Sequence, residues 1–235
     1  MKSSLKYSIL IILFILISIF LLLNYHPSFE TQLKNIDLDS VDNLMIVAHP
    51  DDETLWGGVH LLKDRYLVVC VTCGRNKTRY HEIKQVLEIS DDELIALWYP
   101  DKIKGKRDDW YTYYGSLHNE LYKLITLKKW NLIVTHNPEG EYGHFQHRMV
   151  NSNVTDIYNN LNLDTDLYYF GKYYSKRAIV NHPEATYKIS DEDLEIKTQQ
   201  MIKKYKSQKF IEKKFKQMFK YEDWYLYERE DNNKD

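Results

Sequence analysis

With 235 residues, 43% of them hydrophobic, the chain can bury one good core, and its length suits a single domain. Its net charge of −2 excludes the electrostatic footprint of a nucleic-acid binder, so no nucleic acid is expected as a partner. The two cysteines, Cys70 and Cys73, imply no disulfide framework; with no second such pair to complete a zinc site, they read as buried thiols.

Residues 7–25 (YSILIILFILISIFLLLNY) carry no charge. Their length is what a hydrocarbon core of ~30 Å asks of a helix, and no small-residue cleavage site of the signal-peptide kind follows. The expectation is one N-terminal transmembrane helix within a membrane anchor of residues 1–26, with the lipid bilayer as a partner. Lys2 and Lys6 precede the span, whereas downstream Lys34 stands against Glu30, Asp37 and Asp39. That asymmetry leans towards a single-pass membrane protein with a cytosolic N-terminus and a non-cytosolic domain. Residues 27–42 read as a polar linker.

From there strand-like runs (44–48, 66–72, 94–98, 131–135 and 167–170) alternate with helix-like stretches (54–64, 78–89, 115–128 and 146–160). The alternation predicts an α/β domain over 43–222, with right-handed βαβ units, a mostly parallel sheet and helices on both faces. Apolar positions Met201, Ile202, Tyr205, Ile211, Phe215, Met218 and Phe219 predict a long helix over 193–220. Its apolar stripe would pack on the domain and its lysines would be solvated. The acidic tail, 223–235, is expected to close the edge of the domain and then fray.

The chemistry centres on LMIVAHPDDE, residues 44–53. Leu44 to Ala48 read as a buried strand that runs into His49, Pro50, Asp51, Asp52, Glu53 and Thr54. Three carboxylates so close repel and raise one another's pKa unless a cation is shared among them. A divalent metal resolves the conflict and leaves a second carboxylate as a base. Pro50 stops the strand, and Thr54 is placed to cap the next helix.

The run 131–150 (NLIVTHNPEGEYGHFQHRMV) repeats this logic. A strand ends at His136, Gly140 and Gly143 let the loop turn, and His144 and His147 follow at a spacing that can point both imidazoles to one side. In an open sheet ordered 3-2-1-4-5 the first and fourth strands are neighbours at the switch point, where ligands bind beyond the carboxyl ends. Both clusters would therefore meet in one crevice. His49, Asp52 and His147 then supply two imidazoles and a carboxylate with a position left open for water, the pattern of a catalytic zinc site. Asp51 could act as general base. His144 could polarise the carbonyl, stabilise the oxyanion or protonate the leaving amine. Hydrolysis of an amide or ester suits this set.

These residues resemble the PIG-L/LmbE-like de-N-acetylases, zinc-dependent enzymes of Rossmann-like fold that remove acetyl groups from N-acetylglucosamine-containing compounds. The resemblance spans residues 43–210. It rests on AHPDDE at 48–53 followed by Gly57-Gly58, and on Gly143-His144-x-x-His147 after a strand ending in Thr135-His136. Arg79 with Glu82, Asp101, and the run Lys203 to Gln208 (KKYKSQ) add to it. It implies that His49, Asp52 and His147 hold the metal, that Asp51 is the base, and that His144 is the acid or oxyanion stabiliser. Arg79 and Asp101 would contact sugar or phosphate groups, and Tyr142 could share the oxyanion task. One departure stands out: many members carry an acidic residue where this chain has Gln146, which weakens the case for His144 as an acid.

The expected function is removal of the acetyl group from an N-acetylglucosamine-containing glycan, glycolipid or glycoconjugate by metal-activated water. The alternatives are a de-N-acetylase of N-acetylglucosaminyl-phosphatidylinositol or an inactive sugar-binding relative. Zn2+ is the expected cofactor, and Fe2+ or Co2+ could occupy the same two-histidine, one-carboxylate site.

Overall fold

The structure, a computed structural model, describes residues 2–23, 27–181 and 189–229, with side chains from residue 6 to residue 20 in the first segment. In chain order the elements are α1 (Lys2–Leu23), α2 (Phe29–Leu33), β1 (Asn43–Val47), α3 (Asp52–Leu61), β2 (Tyr66–Cys70), α4 (Lys77–Ser90) and β3 (Glu93–Ala96). A hairpin follows, β4 (Lys102–Ile103) and β5 (Lys106–Arg107), then α5 (Tyr114–Ile125), β6 (Leu132–Thr135), the one-turn α6 (Gly140–Gly143) and α7 (Phe145–Asn160). The chain closes with β7 (Asp166–Phe170), α8 (Asp191–Glu195), α9 (Phe210–Phe215) and β8 (Trp224–Leu226).

The main sheet runs β3-β2-β1-β6-β7-β8. All neighbours are parallel except β8, which pairs antiparallel with β7 and closes that edge. β1 is buried along its whole length, as a strand covered on both faces must be. Its alternate residues serve two cores. Leu44, Ile46 and Ala48 pack with Leu117, Leu121, Val150 and Val154 of α5 and α7. Met45 and Val47 pack with Trp56, Ile83 and Val86 of α3 and α4. The pairing of β1 with β6, Leu44 opposite Ile133, sets their carboxyl ends side by side where the strand order reverses. Cys70 and Cys73 are buried free thiols.

Two expectations are corrected. The segment 7–25 is helical as far as Leu23, but among the described residues no helix is long and apolar enough to cross a membrane. The transmembrane helix and the bilayer as a partner are therefore withdrawn.

The long helix over 193–220 is also absent. A π-helical turn at Ile196–Met201 and short 3-10 turns at Ile202–Lys204 and Lys206–Gln208 separate α8 from α9. The apolar positions are nevertheless buried, as the amphipathic pattern requires. The break has a local cause. Tyr205 leaves the helical region (φ −77°, ψ 57°), sending its hydroxyl to Glu53, while the Ser207 N–H and hydroxyl reach Glu82 at 2.7 and 2.6 Å.

Candidate active site

β1 delivers the first cluster through a turn that is held from several sides. Asp51 sits at φ +107°, a conformation that costs a non-glycine residue about 1–3 kcal/mol. Its N–H donates to Glu53 Oε2 at 3.0 Å, and the Arg79 guanidinium donates to the Pro50 carbonyl and lies 3.6 Å from Asp51 Oδ1. Asp51 occupies the N-cap of α3 without a side-chain capping bond, which leaves its carboxylate to the site. Thr54 is not the cap: α3 already begins at Asp52, and the Thr54 hydroxyl donates to Glu53 Oε1 at 2.5 Å. Burial and the neighbouring Asp52 charge push the Asp51 carboxyl well above the usual carboxylate range, against the pull of Arg79.

β6 and its loop deliver the second cluster. Gly140 (φ +68°) and Gly143 (φ +86°) make the turn, as their sequence positions suggested. His49 Nδ1, Asp52 Oδ2 and His147 Nε2 then form a triangle with edges of 3.2, 3.2 and 3.3 Å. Three ligand atoms bound tetrahedrally at ~2.0–2.1 Å would stand about 3.3–3.4 Å apart, so the residues fit a cation of zinc size. The hydrogen bonds behind the triangle fix its lone pairs. Gln146 Nε2 donates to the carbonyls of Asp101 (3.1 Å) and Asp108 (3.0 Å), so its Oε1 faces His49 and accepts the Nε2–H at 2.8 Å. His147 Nδ1–H donates to Glu141 Oε2. Each imidazole thus turns its free nitrogen to the centre, the arrangement by which a partner behind a histidine orients it for metal.

The electrostatics agree with a cation there. Burial opposes charge on His147, but Asp52 and Glu141 overcome it and raise its pKa to about 10. Burial alone would raise Asp52, yet His147 and His49 hold it well below the usual range. A proton on His147 occupies the place a metal would take, and metal binding would release it.

Other ring nitrogens lie close: His144 groups with His49 and His147, and His136 with Asp52 and His147, all ligand atoms within 4.8 Å. His136 is spoken for, since its Nε2 accepts the Ala48 N–H at 2.9 Å while Nδ1 donates to Glu141 Oε2 at 3.1 Å. His144 differs. Both its nitrogens are buried and have no hydrogen-bond partner among the described residues. Burial, then the neighbouring His147 and His49, push its pKa down to about 2. Gln146 makes its ring hydrogen bond to His49, not to His144, so the departure from an acidic residue bears on His49.

The remaining expected residues form the rim. Asp101 Oδ1 pairs with Arg107 at 2.6 Å and lies 3.7 Å from His49 Nε2, and its Oδ2 is 3.9 Å from Arg79. Tyr142 sets its ring 5.6 Å from both His144 and His147, beneath the Lys214 ammonium at 3.8 Å. The structure therefore brings together all eight expected residues: Asp51, His144, His49, Asp52, His147, Arg79, Asp101 and Tyr142. Sequence reasoning missed Glu141, Arg107, and the part Gln146 plays behind His49. An acid between the two loop glycines was the one available signal for Glu141, since a metal-binding histidine wants a carboxylate behind it.

Comparisons with known proteins agree with this architecture. The family model described as PIG-L, GlcNAc-PI de-N-acetylase, matches residues 44–158. The chain is 29% identical over 133 residues to the uncharacterized protein L374 of Acanthamoeba polyphaga mimivirus, covering 49% of this chain and 57% of that protein's length. Among solved structures it resembles the A40926 pseudoaglycone deacetylase Dbv21, with TM-score 0.57 and 15% identity over 74% of this chain and 85% of the other, a likeness of fold. The HPDD turn, the GHFQH loop and the family match fall on the same strands, so residues 44–158 of the chain are similar to the PIG-L family.

Proposed function

We propose that the chain is a metal-dependent hydrolase that removes the acetyl group from an N-acetylglucosamine-containing substrate. The observation that carries this reading is the triangle of His49, Asp52 and His147, its imidazole lone pairs turned inward, beside Asp51 and the unpartnered His144. His49, Asp52 and His147 would hold the cation, with Zn2+ the best match to the donor set and Fe2+ or Co2+ compatible with it. When bound, such an ion supplies Lewis acidity and lowers the pKa of a water to about 7.

The protein's own groups supply the rest. Asp51, kept high by burial, takes the proton of the attacking water as the new C–O bond forms at the acetyl carbon. Arg79 and Glu53 keep its strained turn in place. His144 enters as a neutral imidazole, so a ring N–H can donate to the oxyanion that develops on the carbonyl oxygen. Tyr142 stands beside it as a second donor. The C–N bond then breaks, the nitrogen recovers the proton held by Asp51, and acetate and a free amine leave. Arg79 and Asp101, on the rim, would contact sugar or phosphate groups.

The test is acetate release by the full chain over a panel of N-acetylglucosamine conjugates, N-acetylglucosaminyl-phosphatidylinositol included, with and without a chelator. Chelator-sensitive release restored by Zn2+ supports the reading. Sugar binding without acetate from any conjugate would replace it with that of an inactive sugar-binding relative.

A further inference from the structure

The run Lys203 to Gln208 lies outside the residues that match the family model and takes no part in the chemistry above. The structure gives it a task. Tyr205 is buried, and its hydroxyl donates to Glu53 Oε1. Burial and then the Glu53 charge push that hydroxyl well above its usual range, so it stays the donor. Glu53 is fully buried as well, and its other oxygen accepts the N–H of Asp51 at 3.0 Å. Asp51 is the residue at φ +107°, a backbone that persists only where its surroundings over-determine it. The chain of contacts therefore runs from the C-terminal segment through one carboxylate to the backbone of the proposed base. Two residues on, Ser207 anchors the same segment to Glu82 on α4 by two bonds that do not reach the site.

We propose that Tyr205 is a positioning residue for Asp51: by holding Glu53 in one orientation it keeps the Asp51 turn, and so the base, in its working geometry. This rests on the hydrolase reading above, and it accounts for the break in the helical pattern at Tyr205. A continuous helix over 193–220 would not set φ and ψ at Tyr205 where the hydroxyl needs them.

The experiment compares full-length wild type, Tyr205→Phe and Ser207→Ala in three measurements: steady-state acetate release, metal Kd, and amide hydrogen exchange across residues 50–54. Tyr205→Phe, which removes only the hydroxyl, is expected to lower kcat at least tenfold with KM and metal Kd unchanged, and to speed exchange of the Asp51 N–H. Ser207→Ala, which loosens the segment at Glu82, is expected to lower Tm and leave kcat and Asp51 exchange as in wild type. Wild-type kcat and wild-type Asp51 exchange in Tyr205→Phe would overturn the proposal, as would equal losses of kcat in the two variants. Exchange reports on the positioning even if wild type releases no acetate, in which case faster Asp51 exchange in Tyr205→Phe upholds the positioning while the hydrolase reading fails.

Discussion

Glu141→Gln isolates what the carboxylate behind the proposed metal site contributes. Glu141 is buried and every hydrogen bond its carboxylate makes is with a donor: Oε2 accepts from His147 Nδ1 and from His136 Nδ1 at 3.1 Å, and Oε1 accepts the Asn137 N–H at 2.9 Å. A glutamine of the same shape must aim its NH2 at one of these N–H groups however the amide is flipped. At least one bond to a charged acceptor, worth about 1.5–3 kcal/mol, is lost. If the NH2 meets Asn137, the loop loosens; if it meets the histidines, His147 is freed to rotate away from the centre. Removing the partner behind a metal-binding histidine weakens the metal by about 10- to 100-fold, which is about 1.4–2.7 kcal/mol. The assay is metal Kd by competition against a chelating dye, with thermal unfolding alongside to show that the fold persists. A Glu141→Gln with both wild-type metal affinity and wild-type Tm would refute the reasoning that each Glu141 oxygen is needed as an acceptor.

Two further outcomes concern the scaffold. Lys197 is fully buried and donates to the Leu55 carbonyl at 3.0 Å and to Glu222, so Lys197→Met strands a buried carboxylate and should cost about 3–5 kcal/mol. The low end is expected, because His60 Nδ1 (2.9 Å) and the Val59 N–H (2.9 Å) still bind Glu222; a urea denaturation loss near zero would contradict the pairing. Asp92 accepts the Tyr66 N–H at 2.7 Å, and burial raises its pKa to about 7 from 3.8. The folded state therefore binds this proton more tightly than the unfolded one, and the Asp92 contribution improves as pH falls from above 7 towards 3.8. Asp92→Asn should exceed wild type in Tm at pH 8 and lose that advantage by pH 4; a difference independent of pH would rule the shift out.

How much was legible in the sequence follows from the range over which each feature is decided. The five parallel strands of the sheet were readable because runs such as β1 and β6 are short, apolar and ended by turn residues, and burial on both faces leaves a near-continuous hydrophobic signature; the antiparallel β8 was not. The two histidine clusters were readable for a related reason: the reversal of strand order puts the ends of β1 and β6 together whatever the loops do. The contacts that depend on packing between distant segments were not. Gln146 looked like a lost acid beside His144, and only the carbonyls of Asp101 and Asp108 show which way its amide faces. Arg107 reaches His49 to within 3.4 Å from a two-strand hairpin that no periodicity announces. Amphipathic spacing told which residues of 193–220 would be buried, but not that the backbone breaks at Tyr205 to serve Glu53.

In the proposed mechanism Asp51 takes the proton from the attacking water beside a metal held by His49, Asp52 and His147. The most direct measurement is acetate release and bound metal for Asp51→Asn against wild type, on the best substrate of the panel. Asp51→Asn is expected to bind the metal as wild type does and to release acetate about 10²- to 10⁴-fold more slowly, the share a general base contributes. A metal-loaded Asp51→Asn that releases acetate at the wild-type rate would contradict it.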